Sequence, residues 1–148
     1  DQLKRNGVDV TASDQMPVAV WNKMLFPACF SGLTTLARTE GSILFKLPHA
    51  QSALRAAMQE VFDVAAAYGV KMSPEIIDQR LAFCINIQPG MTSSMHKDLQ
   101  NGKRLEIDAL SGAIVRLGAA KGIATPVHQT IYIALKMEEE RAQAQDKK

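Results

Sequence analysis

Apolar residues recur at helical spacing along most of the chain, and caps or breakers mark where the recurrence stops. The clearest run is Pro48 to Tyr68. There Ala50, Ala53, Leu54, Ala57, Met58, Val61, Phe62, Ala65 and Tyr68 follow the i, i+3, i+4, i+7 stripe of an amphipathic helix, ended by Gly69. Many of these are alanines, which lets another helix approach closely. Upstream, "VAVWNKMLFPACFSGLTTLAR" predicts a helix capped at Ser13-Asp14, with Pro17 in its first turn, a kink at Pro27 and a stop at Gly41. The residues before it read as the end of a loop or strand. "SPE" at 73–75 predicts a serine cap with proline at the first helical position, opening a helix through Ile87 that "QPG" closes. Further on, "EIDALSGAIVRLG" sets Ile107, Leu110, Ile114 and Leu117 on one face, and Thr125-Pro126 starts a last helix carrying Val127, Ile131 and Leu135. The tail "RAQAQDKK" has no stripe and is expected to fray. With no sustained two-residue alternation and no internal repeat, the pattern predicts an all-α bundle of roughly five to seven helices.

The length of 148 residues fits one domain. Net charge is +2, the basic residues are scattered, and five Phe and two Tyr form no aromatic–basic ladder, so a nucleic-acid surface is not expected. The longest uncharged run, Met24 to Ala37, is shorter than the about 20 residues that span a bilayer and contains Pro27 and Gly32. The opening "DQLKRNGVDV" has neither a Met nor an apolar stretch, so no signal peptide is expected, and the chain reads as part of something longer. Cys29 and Cys84 follow no metal-binding spacing and read as buried, reduced thiols of a cytosolic protein.

One stretch departs from the apolar pattern. "SSMHKDLQNGKRLEID", residues 93 to 108, is polar and sets Ser94 and Glu106 on either side of Asn101-Gly102. Taken alone, Ser94 reads as the N-cap of "MHKDLQNG", and Glu106 as a glutamate favoured by the dipole of the following helix. Lys23 lies within the apolar run "VWNKMLF". An ammonium there either snorkels to water or faces a cleft where it can serve acid–base chemistry. His49, His96 and His128 lack a HExxH or similar spacing and read as surface or capping residues, so no metal site is expected. "EEER" at 138–141 reads as a solvated helix face. The nine glycines never form GxGxxG, so the chain has no dinucleotide fingerprint of its own.

Two blocks share one recognisable frame. "VWNKMLFPACFSGLTTL" and "SSMHKDLQNGKRLEIDALSGAIVRLGAAKGIATPVHQTIY" together resemble the C-terminal domain of ketopantoate reductases, over Val8 to about Leu135. The second block carries the specific features: Ser-Ser-Met-x-x-Asp-hydrophobic, a Gly-Lys turn, Glu-Ile-Asp, a glycine-containing helix and a Gly-x-x-x-Pro cap. The resemblance implies a multi-helix bundle like the C-terminal domain of 6-phosphogluconate dehydrogenase. It also implies a cytoplasmic, NADPH-dependent 2-dehydropantoate 2-reductase of pantothenate and coenzyme A biosynthesis as the parent protein. In that family an N-terminal Rossmann domain binds NADPH and the helical domain closes over the substrate. Residues 1–148 would then be the C-terminal substrate and dimerisation domain, inactive without the Rossmann domain. A homodimer belongs to this expectation; nucleic-acid and membrane partners do not.

Position by position, the resemblance implies that Lys23 is the catalytic lysine, that Glu106 holds the substrate hydroxyl and the lysine in register, and that Ser94 binds the substrate, at its carboxylate. Two positions depart from the family. An asparagine usually stands four residues after the lysine, where this chain has Pro27, and a second one four further on is here Ser31, polar but shorter. A site that loses an amide donor changes which substrate it prefers. The alternatives are therefore a paralogue reducing another 2-keto acid, or a non-catalytic helical dimerisation module.

Overall fold

A computed structural model describes residues 5–7 and 15–145. Most of the loop or strand expected at the start falls outside them, and its described part, residues 5–7, is helical at Arg5 and a turn at Asn6 and Gly7; the Ser13-Asp14 cap and residues 146–148 also lie outside the described residues. Every regular element among the described residues from 15 onward is helical: α1 (Met16–Ala37), α2 (Gly41–Leu44), α3 (Pro48–Ala67), α4 (Ile76–Ile85), α5 (Ser94–Gln100), a 3-10 turn (Glu106–Asp108), α6 (Ser111–Lys121) and α7 (Pro126–Gln145). The all-α bundle read from the pattern is the fold.

Several boundaries differ from expectation, each for a local reason. α1 ends at Ala37 because Arg38 takes a left-handed conformation (φ 51°) and its N–H turns back to the Thr34 and Thr35 carbonyls. Gly41 is thus not the stop. It opens α2, and it must be glycine because a Cβ there would lie 2.5 Å from Phe30 Cε2. α1 runs unbroken across Pro27. α4 starts at Ile76 rather than Pro74, after a turn in which the Ser73 hydroxyl donates to the Glu75 carboxylate, and it ends at Ile85. The tail expected to fray stays helical through Gln145.

α1 is the centre of the bundle, packing on α3, α5 and α7, while α6 lies against α3 and α7. The main core joins Leu25, Cys29 and Phe30 of α1 to Leu54, Met58 and Val61 of α3 and Ile114 of α6. A smaller core, Met95, Leu105, Ile107, Ile131 and Leu135, sits beneath the polar stretch between α5 and α6. Leu33 and Val127 touch both cores. Cys29 and Cys84 are buried free thiols, and burial pushes both up, Cys84 to about 12.

A polar knot crosses this core. Glu60 of α3 is buried, and its two carboxylate oxygens accept the Val127 and His128 N–H groups at 2.7 and 2.9 Å, capping the first turn of α7 from another helix. His128 is fully buried rather than at the surface. Its Nε2 lies 3.2 Å from the Ala57 carbonyl, which can only accept, so Nε2 carries the proton and Nδ1 accepts from the Ser111 hydroxyl at 3.2 Å.

Burial lowers the His128 pKa to about 4, below its ordinary 6.5. Between those values the unfolded chain binds the extra proton, so the His128 contribution is complete above about pH 6.5 and is lost as pH falls towards 4. A shift of that size is worth roughly 3 kcal/mol. Glu60 acts oppositely: its pKa is raised, chiefly by burial, so the folded state tolerates its protonation. Urea unfolding at about pH 4.5 should therefore show about 2 kcal/mol less stability than at about pH 7. His128→Gln should flatten that slope; an equal slope in both proteins would assign the acid loss to other groups.

Candidate active site

Lys23, Pro27 and Ser31 stand at i, i+4 and i+8 of α1 and so form one row along the helix. Lys23 is exposed, at the edge of a groove of about 400 Å³ whose walls are apolar: Val20, Trp21, Met24 and Pro27 from α1, Ile114 and Leu117 from α6. The burial expected for the helix around Lys23 therefore stops short of its own side chain. Pro27 presents a ring to this groove where an asparagine would present an amide. Ser31, 7 % exposed, lies where α1 dives under its neighbours. The next residue, Gly32, permits that approach, since a Cβ there would sit 2.9 Å from Ile131 Cγ2 and 3.5 Å from Ser111 Oγ.

The polar stretch docks beside this part of α1. Ser93, not Ser94, is the N-cap of α5: its hydroxyl accepts the His96 N–H at 3.1 Å. The same hydroxyl lies 3.3 Å from both Thr34 Oγ1 and Thr35 Oγ1. Thr34 spends its own proton on the Phe30 carbonyl at 2.7 Å, so Ser93 donates to Thr34 and accepts from Thr35. Relieved of capping, Ser94 is the exposed first residue of α5, beside the segment of α1 that follows Ser31.

Glu106 is exposed at the start of the 3-10 turn, on a shallow hollow formed with Arg104, Leu105, Asp108 and Ala109. Its carboxylate makes no hydrogen bond or ion pair among the described residues, and neither does the Lys23 ammonium. Lys23 and Glu106 thus line separate depressions and are not in direct contact.

The turn around Glu106 is tied down from α7. The Leu105 N–H donates to Glu139 at 2.8 Å, the Asp108 carboxylate accepts from Tyr132 Oη at 2.9 Å and from Lys136 Nζ at 2.8 Å, and Ile107 is fully buried. Glu139, expected on a solvated face, is 2 % exposed. The Lys136 hydrogen bond, then that from Tyr132, holds the Asp108 carboxyl below its ordinary range. Sequence reading missed Glu60, Lys136 and Glu139, which on their own helices look like ordinary surface charges.

No helix among the described residues is long and apolar enough to cross a membrane, and none of their His, Cys, Asp and Glu residues cluster to hold a metal.

The description of the C-terminal domain of PanE/ApbA ketopantoate reductases matches residues 16–139. The chain is 29 % identical to the 2-dehydropantoate 2-reductase of Pyrobaculum aerophilum, over 93 % of its own length and 49 % of the relative. In structure it superposes on a PanE/ApbA family ketopantoate reductase from Ralstonia eutropha with a TM-score of 0.83 at 31 % identity, covering 93 % of this chain and 46 % of that one. A D-mandelate dehydrogenase solved with NADH and anilino(oxo)acetate superposes with a TM-score of 0.85 at 25 % identity, covering 97 % of this chain and 79 % of that one. The chain spans about half the length of the curated relatives it matches. The fold is thus that of the helical domain of these oxidoreductases. Within that class, the chain belongs to the ketopantoate reductase C-terminal family.

Proposed function

We propose that this chain is the substrate-side half of a cytoplasmic, NADPH-dependent 2-keto acid reductase that converts 2-dehydropantoate to pantoate. The family match over residues 16–139 carries the reading. A lysine at the rim of an apolar groove and a glutamate on a pinned turn, without a partner among the described residues, add to it. In this reading the Lys23 ammonium donates a hydrogen bond, then a proton, to the keto oxygen as negative charge develops there. Glu106 accepts from the substrate hydroxyl and keeps the lysine in register, Ser94 donates to the substrate carboxylate, and Ser31 lines the same row. In this reading the substrate bridges these residues once a second domain closes over them.

The described residues do not fit a dinucleotide. They contain no strand–loop–helix unit, and their positive-φ glycines, such as Gly69, Gly90 and Gly122, stand singly at turns instead of forming a cradle of successive amides. We assign the cofactor, which supplies the hydride, to an N-terminal Rossmann domain in the part of the relatives that this chain does not span. The isolated chain should accordingly fold but neither bind NADPH tightly nor turn over substrate, and a homodimer of the two-domain protein completes the proposal.

A second reading rests on Pro27. The groove beside Lys23 has apolar walls and no amide donor at that position, which suits a 2-keto acid with a larger apolar substituent, as in the relation to D-mandelate dehydrogenase. The test is NADPH oxidation by the full-length protein with ketopantoate and with branched-chain and aryl 2-keto acids. The highest kcat/KM on ketopantoate supports the first reading, and on an aryl keto acid the second. No oxidation with any keto acid would leave the dimerisation module as the better account.

A further inference from the structure

We infer that Lys136 is a positioning residue for Glu106: by bridging Asp108 and Glu139 it fixes the turn that presents the Glu106 carboxylate. The inference rests on the reading of Glu106 as a catalytic residue. Lys136 Nζ donates to Asp108 Oδ2 and to Glu139 Oε2, both at 2.8 Å. Each carboxylate grips one side of Glu106. Glu139 takes the backbone N–H of the residue before it through Oε1, and Asp108 lies two residues after it. Arg116 adds a third tie, donating to the Asp108 carbonyl at 3.0 Å.

An i, i+3 pair on an exposed helix contributes little. This one is different because Glu139 is almost wholly buried, and a carboxylate at that depth needs every partner it has. Remove the ammonium and the two carboxylates lose the cation between them, Glu139 keeping only Arg104 at 4.0 Å as an ion-pair partner and Asp108 only the Tyr132 hydroxyl. The relief is for one to swing away, and either movement frees an anchor of the 105–108 segment. Glu106 itself spends nothing on this network. Its carboxylate stays unpaired among the described residues while the backbone on both sides is immobilised, which is the arrangement that holds a reacting group to within a fraction of an ångström. The pairing also explains why Asp108 and Lys136 are mutually shifted towards their charged forms, the hydrogen bond between them being the largest cause for each.

The test is a double-mutant cycle in the full-length protein, with amide exchange in the 148-residue chain as a readout independent of turnover. Lys136→Met should lower kcat/KM by about 10- to 100-fold when Glu106 is present, and by less than about 2-fold in a Glu106→Ala background. Lys136→Arg, which can bridge two carboxylates, should recover activity to within about 3-fold of the parent. Exchange at the Leu105 amide should quicken by at least about 10-fold in Lys136→Met. Equal losses in both backgrounds, or unchanged Leu105 exchange, would overturn the inference. If Glu106→Ala alone leaves kcat/KM intact, the assignment of Glu106 has failed instead, and the exchange result still reports on the turn. Should Lys136→Met not fold, Tyr132→Phe removes one tie to Asp108 without stranding a buried charge and enters the same cycle, with an expected loss of about 3-fold that vanishes without Glu106.

Discussion

Lys23→Ala in the full-length protein should cut kcat by about 100-fold or more while KM moves only a few-fold. A ketone carries little charge in the ground state and becomes an alkoxide only as it is reduced. A cation at its oxygen therefore matters mainly in the transition state, and losing it costs about 3 kcal/mol of barrier rather than of binding. Folding should be untouched, because Lys23 is exposed and has no partner among the described residues. Ser94→Ala should show the opposite division, a raised KM with kcat nearly kept, since its proposed bond to the carboxylate is the same before and during reaction. Steady-state kinetics with both substrates varied separates the two. A Lys23→Ala protein that keeps its kcat to within about 3-fold would remove the lysine from the chemistry and leave it as a groove-edge cation.

What the sequence made legible, and what it hid, divides by distance along the chain. The α3 stripe was readable because period and burial coincide within one helix: Leu54, Ala57, Met58, Val61 and Ala65 are all fully buried. The Thr125-Pro126 start of α7 was equally local. The cap of α5 was misplaced by one residue because two adjacent serines offer the same hydroxyl, and only packing against Thr34 and Thr35 selects Ser93. The row Lys23–Pro27–Ser31 needed nothing beyond helical periodicity. By contrast, the Glu60 carboxylate meets the His128 amide across 68 positions, and Glu139 meets the Leu105 amide across 34. On their own helices these two glutamates look like ordinary surface charges. Nothing local distinguishes a carboxylate bound for water from one bound for a distant backbone, which is also why His128 was read as a surface residue.

That long-range capping gives the largest stability effect expected here. Glu60→Leu should destabilise the domain by about 3 kcal/mol at neutral pH, seen as a lower urea midpoint with an unchanged m-value. The leucine fills much the same volume in a mostly apolar setting, so the loss comes from polar groups and not from a cavity. Two N–H groups in the first turn of α7 lose charge-assisted bonds of 2.7 and 2.9 Å, and the His128 amide is too deeply buried to turn to water instead. The partial positive charge of that helix end also loses its counter-charge. Opposing this, the substitution relieves the desolvation that raises the Glu60 pKa, which holds the cost below the sum of two lost bonds. Glu60→Gln keeps one acceptor and most of the shape but adds an N–H₂ facing donors, so its cost should fall between wild type and leucine, at about 1–2 kcal/mol. The ordering wild type, glutamine, leucine is the decisive readout. If leucine proves as stable as glutamate, burial of the carboxylate costs as much as its two bonds return, and the anchoring of α7 resides in its apolar contacts through Val127, Ile131 and Leu135.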